Sequence, residues 1–309
     1  MMPVFLKKQT GSLKWKMEKS SGNKIYQIIP MNMIKKNINV TKASGVPDIY
    51  SAEKLRRSLA KSGAGEQLID NILYEIESIL YDGIPTKQIY QAAFDLLKKD
   101  SRSNAGRYNL KGAIMALGPS GFPFEQYIGA IFQWQGYKVK VNQFLEGACV
   151  THEIDVLAEN DSHVLLIECK YHNKQGLFSD VKVPLYIHSR YRDVQERWNK
   201  TSPKKPLECW VVTNTKFSAD AVKYSICAGL HLLGWNYPIQ KSLSRLVDES
   251  GLYPVTCLTT LSNKEKEQIL MAGVVLCKNL AKNEELLSQT VSQTRIPRLL
   301  AEIEALCKI

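Results

Sequence analysis

The segment Thr151–Asn173, THEIDVLAENDSHVLLIECKYHN, constrains the chain most. Two short apolar runs, Ile154–Ala158 and Val164–Ile167, flank the polar cluster Glu159–His163, which is the pattern of a β-hairpin. With the turn centred on Asp161–Ser162, Asp155 falls directly opposite Glu168. Opposed residues on antiparallel strands have Cβ atoms roughly 4.5–5.5 Å apart, and like charges there repel, so this pair calls for a cation. Strand side chains alternate with period two, which puts Glu168, Lys170 and His172 on one face and Cys169 and Tyr171 on the other.

One face thus gathers Asp155, Glu168 and Lys170, two hard oxygen ligands with an ammonium beside them. A Mg²⁺-type ion takes one or two carboxylates and keeps several waters. A metal and a lysine together suit the activation of water and the neutralisation of charge on a phosphate. The alternative is a solvated hairpin whose Glu168 and Lys170 form a surface ion pair, worth roughly 0–1 kcal/mol. The unbroken Val-Leu-Leu-Ile run leading into the acid argues for burial instead.

Upstream, Gly121-Phe122-Pro123-Phe124-Glu125 precedes Gly136-Tyr137-Lys138-Val139. With Glu153-Ile154-Asp155 and Glu168-Cys169-Lys170, these motifs resemble the PD-(D/E)xK nuclease superfamily, specifically its Mrr-like restriction endonuclease branch, over Gly118–Trp235. The usual Pro-Asp is replaced here by Ile154-Asp155. The resemblance implies an α/β/α sandwich with a mixed sheet, and Mg²⁺ (or Mn²⁺) held by Asp155 and Glu168. It also implies a Lys170 that positions or polarises the attacking water, and Glu125 as an accessory acid on the first core helix. Without the family, Glu125 is an acid well placed in a first helical turn. His188, Arg190 and Asp193 on the following helix are candidates to support the site, although Arg190 and Asp193 also form an ordinary i,i+3 pair.

The formal charge of +11 suggests an anionic partner, yet residues 1–42 hold nine lysines against Glu18 alone, so +8 of it belongs to that tail. Residues 1–36 lack periodicity and read as a disordered basic tail, with Met31 and Met33 as alternative starts. Nearer the hairpin, Lys170–Lys205 sets nine basic residues against three acids, either a grip for a phosphate backbone or a solvated helix face. Seven cysteines without a Cys-x-x-Cys pair suit reduced thiols in the cytoplasm, and nothing completes a zinc tetrad with Cys149 and His152. No apolar run approaches the ~18 residues of a membrane span, and the N-terminus lacks a secretory apolar core.

Residues 37–99 read as a small α+β domain: strand, Gly45 turn, strand, then three amphipathic helices begun by Ser51, Glu66 and Thr86. Val40–Gly45, Ser51–Leu55 and Gly83–Tyr90 resemble the ATP-cone, the regulatory nucleotide module of ribonucleotide reductases. The resemblance implies ATP or dATP as ligand and places Val40, Lys42, Asp48, Lys54 and Thr86 at nucleotide-contact positions. Lys42-Ala43-Ser44-Gly45 stands where the family has Lys-Arg-Asp-Gly, and Tyr90 where a His is common, which leaves the number of nucleotides open. No Gly-x-x-x-x-Gly-Lys-Ser/Thr loop is present, so ATP is a signal here rather than a fuel.

Residues 100–120 read as a linker and a helix, 121–236 as the nuclease domain, and 237–309 as a helical module similar to a helix-hairpin-helix, with Gly273 at its turn. Such a hairpin offers backbone N–H groups to DNA phosphates or serves packing and dimerisation. The expectation is a metal-dependent DNA endonuclease, a homo-oligomer regulated by ATP or dATP and away from membranes. A non-catalytic, nucleotide-regulated DNA-binding protein is the alternative, and RNA a further substrate class.

Overall fold

In the computed structural model, residues 38–174, 176–201 and 205–308 are described, and the expected disordered tail, residues 1–36, lies outside them. Strands β1 (Asn39–Thr41) and β2 (Pro47–Ile49) pair antiparallel around a turn in which Gly45 takes the left-handed φ of 78°. Ser51 caps α1 (Ala52–Lys61) by accepting from the Lys54 N–H at 3.2 Å. Its Leu55 and Leu59 meet Ile69, Ile72 and Ile76 of α2 (Glu66–Ile79), which follows at once. A third strand, β3 (Ile84–Pro85), pairs parallel to β1; two residues carry no alternation by which to foresee it. Pro85 then stands at the N-cap of α3 (Thr86–Asp100), so Thr86 is not the cap, and its hydroxyl donates instead to the Thr41 carbonyl. Ile89, Ala93 and Leu97 are the buried residues of α3, and Ile79 at the end of α2 is exposed.

The polar stretch expected as a linker forms no linker. Ser101 accepts from the Asn104 N–H and caps α4 (Arg102–Tyr108), whose Ala105 and Gly106 are buried. Arg107 donates to the carbonyls of Ala305, Leu306 and Lys308, so its charge binds the far end of the chain. Helix α5 (Leu110–Met115) follows after Asn109.

The next elements are α6 (Phe122–Trp134), β4 (Lys138–Glu146), β5 (Thr151–Glu159), β6 (Val164–Lys170), β7 (Phe178–Ser179), α7 (Lys182–Thr201), β8 (Leu207–Thr213), β9 (Lys216–Phe217), α8 (Ala219–Cys227) and β10 (His231–Leu233). Five of the strands form one mixed sheet in the order β10-β8-β6-β5-β4, with β6, β8 and β10 parallel and β4, β5 and β6 antiparallel. Residues of β6 alternate between the two faces. Leu165 and Ile167 pack with Phe124, Tyr127, Ile128 and Phe132 of α6. Val164 and Leu166 pack with Ile187, Tyr191 and Val194 of α7. Helices therefore cover both faces, which is why the strand reads as a continuous apolar run.

Helices α9 (Leu243–Ser250), α10 (Asn263–Met271), α11 (Cys277–Ala281), α12 (Glu284–Thr290) and α13 (Ile296–Cys307) complete the fold. Leu243, Tyr253, Leu280, Leu299 and Leu306 join the same core as α6 and the sheet, so the expected boundary at 236/237 passes through one hydrophobic cluster. All seven cysteines are free. Among the described residues no helix is long and apolar enough to cross a membrane.

The β4–β5 ladder pairs Val141 with Val156 and Gln143 with Ile154, skipping Asn142 and Asp155. Asn142 has a left-handed φ of 51° at that point. Before the lapse Val139 and Val141 pack on the α6 side; after it Leu145 and Ile154 pack on the α7 side. The ribbon thus turns over at Asp155 and lays its tip on α7. There Asp193 accepts from the Cys149 N–H at 2.8 Å, the Val150 N–H at 3.2 Å and His152 Nε2 at 2.8 Å. A Cβ at Gly147 would run into the Asp193 carboxylate and come within 2.7 Å of the Val150 carbonyl. Gly147→Ala is expected to lower stability by roughly 1–3 kcal/mol through this overpacking. Urea midpoints measure it, and an unchanged midpoint would mean that the tip does not close on α7 in this way.

Candidate functional site

The hairpin register is the one the alternation implies. Val156 pairs with Ile167 and Glu159 with Val164, so continuing the ladder sets Asp155 against Glu168. The pairing stops one residue short of them, and Asp155 Oδ2 instead accepts from the Cys169 N–H at 2.6 Å. Glu168, an ionisable side chain, is only 5% exposed, drawn in by the buried Val164–Ile167 run. Its Oε2 accepts from Arg190 of α7 at 2.6 Å, while its Oε1 is buried and has no hydrogen-bond partner.

Asp155 raises the pKa of both Glu125, in the first turn of α6, and Glu168, and Glu125 adds a smaller rise at Glu168. Burial, then Asp155, pushes Glu168 up to about 8 despite the Arg190 ion pair, so desolvation outweighs that pair. Burial, then Asp155, takes Glu125 to about 7, and burial raises Asp155. Lys170, the last residue of β6, is exposed. His172 does not extend the strand: its backbone pairs with the Asn214 side chain at 2.9 and 2.7 Å, and its Nε2 lies 3.1 Å from Ser179 Oγ.

Of the supporting candidates, Arg190 alone reaches the carboxylates; it also donates to the Glu153 carbonyl. Asp193 clamps the ribbon tip, so it does not pair with Arg190, and His188 lies 2.7 Å from the Tyr224 hydroxyl. An orphaned carboxylate oxygen among mutually repelling carboxyls suits a hard cation. Among the described residues no three His, Cys, Asp or Glu side chains group closely enough to hold a metal. A cation here would take Asp155 and Glu168 and complete its shell with water, as Mg²⁺ does. Within the basic stretch, Arg190, Arg197, Lys200 and Lys205 pair with Glu168, Glu146, Glu196 and Glu159. Among the described residues, Lys170, Lys174, Lys182 and Arg192 have no carboxylate partner.

A second feature is a cavity of about 890 Å³, of the size that holds small-molecule ligands. All five residues expected at nucleotide-contact positions, Val40, Lys42, Asp48, Lys54 and Thr86, line it. Asp48 does not point away as a free acceptor: it is paired with Lys42 at 2.9 Å and Lys54 at 3.4 Å. Its hydrogen bond from Lys42 leads the causes that hold its pKa at about 2. Sequence reasoning missed the second part of the wall, which Lys111, Met115, Phe178, Lys216 and Phe217 supply, because it assembles from three separate segments. The stacked Tyr90 and Tyr108, 4.8 Å between ring centroids, also line it.

The protein is thus of the mixed α/β class, with a carboxylate cluster at one end of its central sheet and a lysine-lined cavity beside it. A family described as AF1548-like, C-terminal, matches residues 253–307. An uncharacterized protein of Archaeoglobus fulgidus is 35% identical over 174 residues, which span 56% of this chain and 95% of the relative. A crystal structure reported for AF1548, a protein of unknown function, is 30% identical with a TM-score of 0.51, covering 61% of this chain and 98% of that one. The chain belongs to the AF1548-like family.

The raised carboxyls make stability depend on pH. A carboxyl whose folded pKa exceeds its unfolded value stabilises the fold below the unfolded value, and that contribution is lost as pH rises through the folded one. For Glu168 the window runs from its ordinary 4.5 to about 8. The metal-free protein is expected to lose on the order of 2–4 kcal/mol across it, and Glu168→Gln to flatten the loss. Urea denaturation in EDTA across this range measures both; an unaltered slope in Glu168→Gln would place the titrating group elsewhere.

Proposed function

We propose that the protein is a metal-dependent DNA endonuclease of the PD-(D/E)xK, Mrr-like kind, gated by ATP or dATP bound to an N-terminal ATP-cone. The reading takes the five-stranded sheet with helices on both faces as the α/β/α sandwich of those nucleases. The observation that carries it is the buried Glu168 Oε1, without a partner and set beside Asp155 at the end of a strand that leads into Lys170.

Asp155 and Glu168 are the residues to hold Mg²⁺ or Mn²⁺. When bound, such an ion supplies Lewis-acid activation of water and offsets negative charge growing on the phosphate. Arg190 fixes the Glu168 carboxylate from behind. Lys170, in solvent beside the acids, orients water toward the scissile phosphate. Glu125, with a pKa near 7, is suited to exchange a proton at neutral pH. Lys174, Lys182 and Arg192 are placed in the chain to meet the DNA backbone after the catalytic strand. The α10–α11 hairpin turns at Gly273, φ 75°, and offers a further phosphate contact. The lysine-lined cavity takes the nucleotide as a signal that alters oligomeric state.

The test is cleavage of plasmid, linear and methylated DNA with Mg²⁺ or Mn²⁺, with and without ATP and dATP, and with RNA in parallel. Asp155→Ala and Lys170→Ala are expected to reduce cleavage by roughly 10²-fold or more while leaving DNA binding intact. A wild type that binds DNA but cuts no nucleic acid under any condition would leave a non-catalytic, nucleotide-regulated DNA-binding protein. Equal cleavage rates and equal sedimentation with and without nucleotide would remove the regulation.

A further inference from the structure

Charge on the cavity walls is strongly unbalanced. Five lysines, Lys42, Lys54, Lys87, Lys111 and Lys216, line it against the single carboxylate of Asp48. Asp48 already pairs with Lys42 and Lys54. Among the described residues Lys87, Lys111 and Lys216 have no carboxylate partner. Two of these three, Lys111 on α5 and Lys216 on β9, come from outside the hairpin and three helices that resemble a cone. Lys111 also lies over the Trp235 ring at 5.9 Å. It remains solvent-exposed, yet the protein around its ammonium, and after that Lys216, lowers its pKa. Two like charges held this close in partly desolvated surroundings call for an anion.

Resting on the nucleotide reading above, we infer that Lys111 and Lys216 complete the polyphosphate site from the far wall, so that a nucleoside triphosphate binds the hairpin-and-helix unit and the sheet unit together. The cavity is therefore not a property of residues 37–99 alone. Its affinity for a triphosphate depends on the sheet unit, and ligand charge is what draws the two walls to one another.

The far wall is wired to the end of β6. Phe178 of β7 pairs with Lys216 of β9, and both line the cavity. Next to them, Ser179 Oγ lies 3.1 Å from His172 Nε2 and 3.4 Å from Thr213 Oγ1. Thr213 Oγ1 in turn donates to the Lys170 carbonyl at 2.8 Å. Asn214 holds both backbone groups of His172. Ser179, Thr213 and Asn214 are at most 1% exposed, so these three members of the network are shielded from water. A second path runs through Tyr171, whose hydroxyl donates at 2.5 Å to the carbonyl of the cavity residue Met115. A ligand that fixes β7, β9 and α5 thereby fixes the backbone of Lys170–His172, two residues beyond Glu168.

Titration calorimetry of the full chain with ATP, dATP and adenosine tests this. Lys111→Ala and Lys216→Ala are each expected to weaken ATP about tenfold or more, the loss of one charge-assisted contact, and to leave adenosine binding unchanged. Lys99→Ala, on α3 away from the cavity, should alter neither. Adenosine binding reports that each variant is folded, and Lys111→Gln and Lys216→Gln repeat the test with more of the side chain kept. Unchanged ATP affinity in both lysine variants, with Lys42→Ala still weakened, would overturn the shared site while leaving the nucleotide reading standing. A wild type that binds neither ATP nor dATP would remove both. Hydrogen exchange gives the second readout: ATP should slow the amides of residues 171–174, 176–179 and 213–217 in wild type and not in Lys216→Ala. Exchange there that is indifferent to ATP would overturn the link to β6.

Discussion

Glu168 is carried out of water by the apolar run of the strand that holds it. Val164–Ile167 is buried on both faces, and the chain has no room to turn the next side chain back to solvent before the strand ends. A carboxylate in that position needs compensation from every side. Arg190 compensates one oxygen and leaves the other bare. The balance is decided by magnitude: burial and Asp155 together raise the pKa to about 8 even with a guanidinium 2.6 Å away. Where paired charge loses to desolvation, the negative charge left over has to be offset by a proton or by a cation from outside.

Helix α7 sets where the acids stand. Arg190, Asp193 and Arg197 recur at the spacing that shares one helix face. They bind, in turn, Glu168 with the Glu153 carbonyl, the ribbon tip at residues 149–152, and Glu146. Asp155 lies between the part of the ribbon held in the sheet and the part held on α7, at the point where the ladder lapses. Its position is therefore an outcome of two attachments pulling the same strand over opposite faces. Arg190 belongs to both attachments, and its planar fork suits it to span a carboxylate and a backbone carbonyl where a lysine would reach one.

The hairpin, its register and the opposition of Asp155 to Glu168 were legible because a period-two apolar pattern bounded by a polar turn admits one pairing. The three helices after Ser51 were legible for the same reason at period 3.6; Ser51 caps the first as the pattern puts it, whereas Pro85 rather than Thr86 stands at the N-cap of the third. What escaped notice lacked a local signal. β3, β7 and β9 are two-residue strands whose existence depends on a partner far away in the chain. Asp100–Ala105 looked like a linker because serine, asparagine and arginine are polar, yet here Ser101 caps a helix and Arg102 bonds the Thr259 hydroxyl far along the chain. The shared core across 236/237 was invisible because an apolar helix face does not name what it packs against. Lys111 and Lys216 were two unremarked surface lysines until folding set them on one wall.

The two sites make opposite electrostatic demands on one short piece of chain. At Glu168 the fold accumulates negative charge it cannot satisfy, and at Lys111 and Lys216 it accumulates positive charge. The segment Lys170–His172 borders the first, and the buried Ser179–Thr213–Asn214 network ties it by hydrogen bonds to Ser179, next to Phe178 on the wall of the second. Such a segment is stiff because loosening any member leaves a buried polar group unpaired, which costs about 1–3 kcal/mol. Stiffness of that kind transmits displacement: a shift of β7 against β9 has to be absorbed at the Lys170 carbonyl or not at all. Coupling between binding sites is reciprocal by thermodynamic necessity, so a cation that orders the carboxylates and an anion that orders the lysines would each change the other's affinity by the same factor.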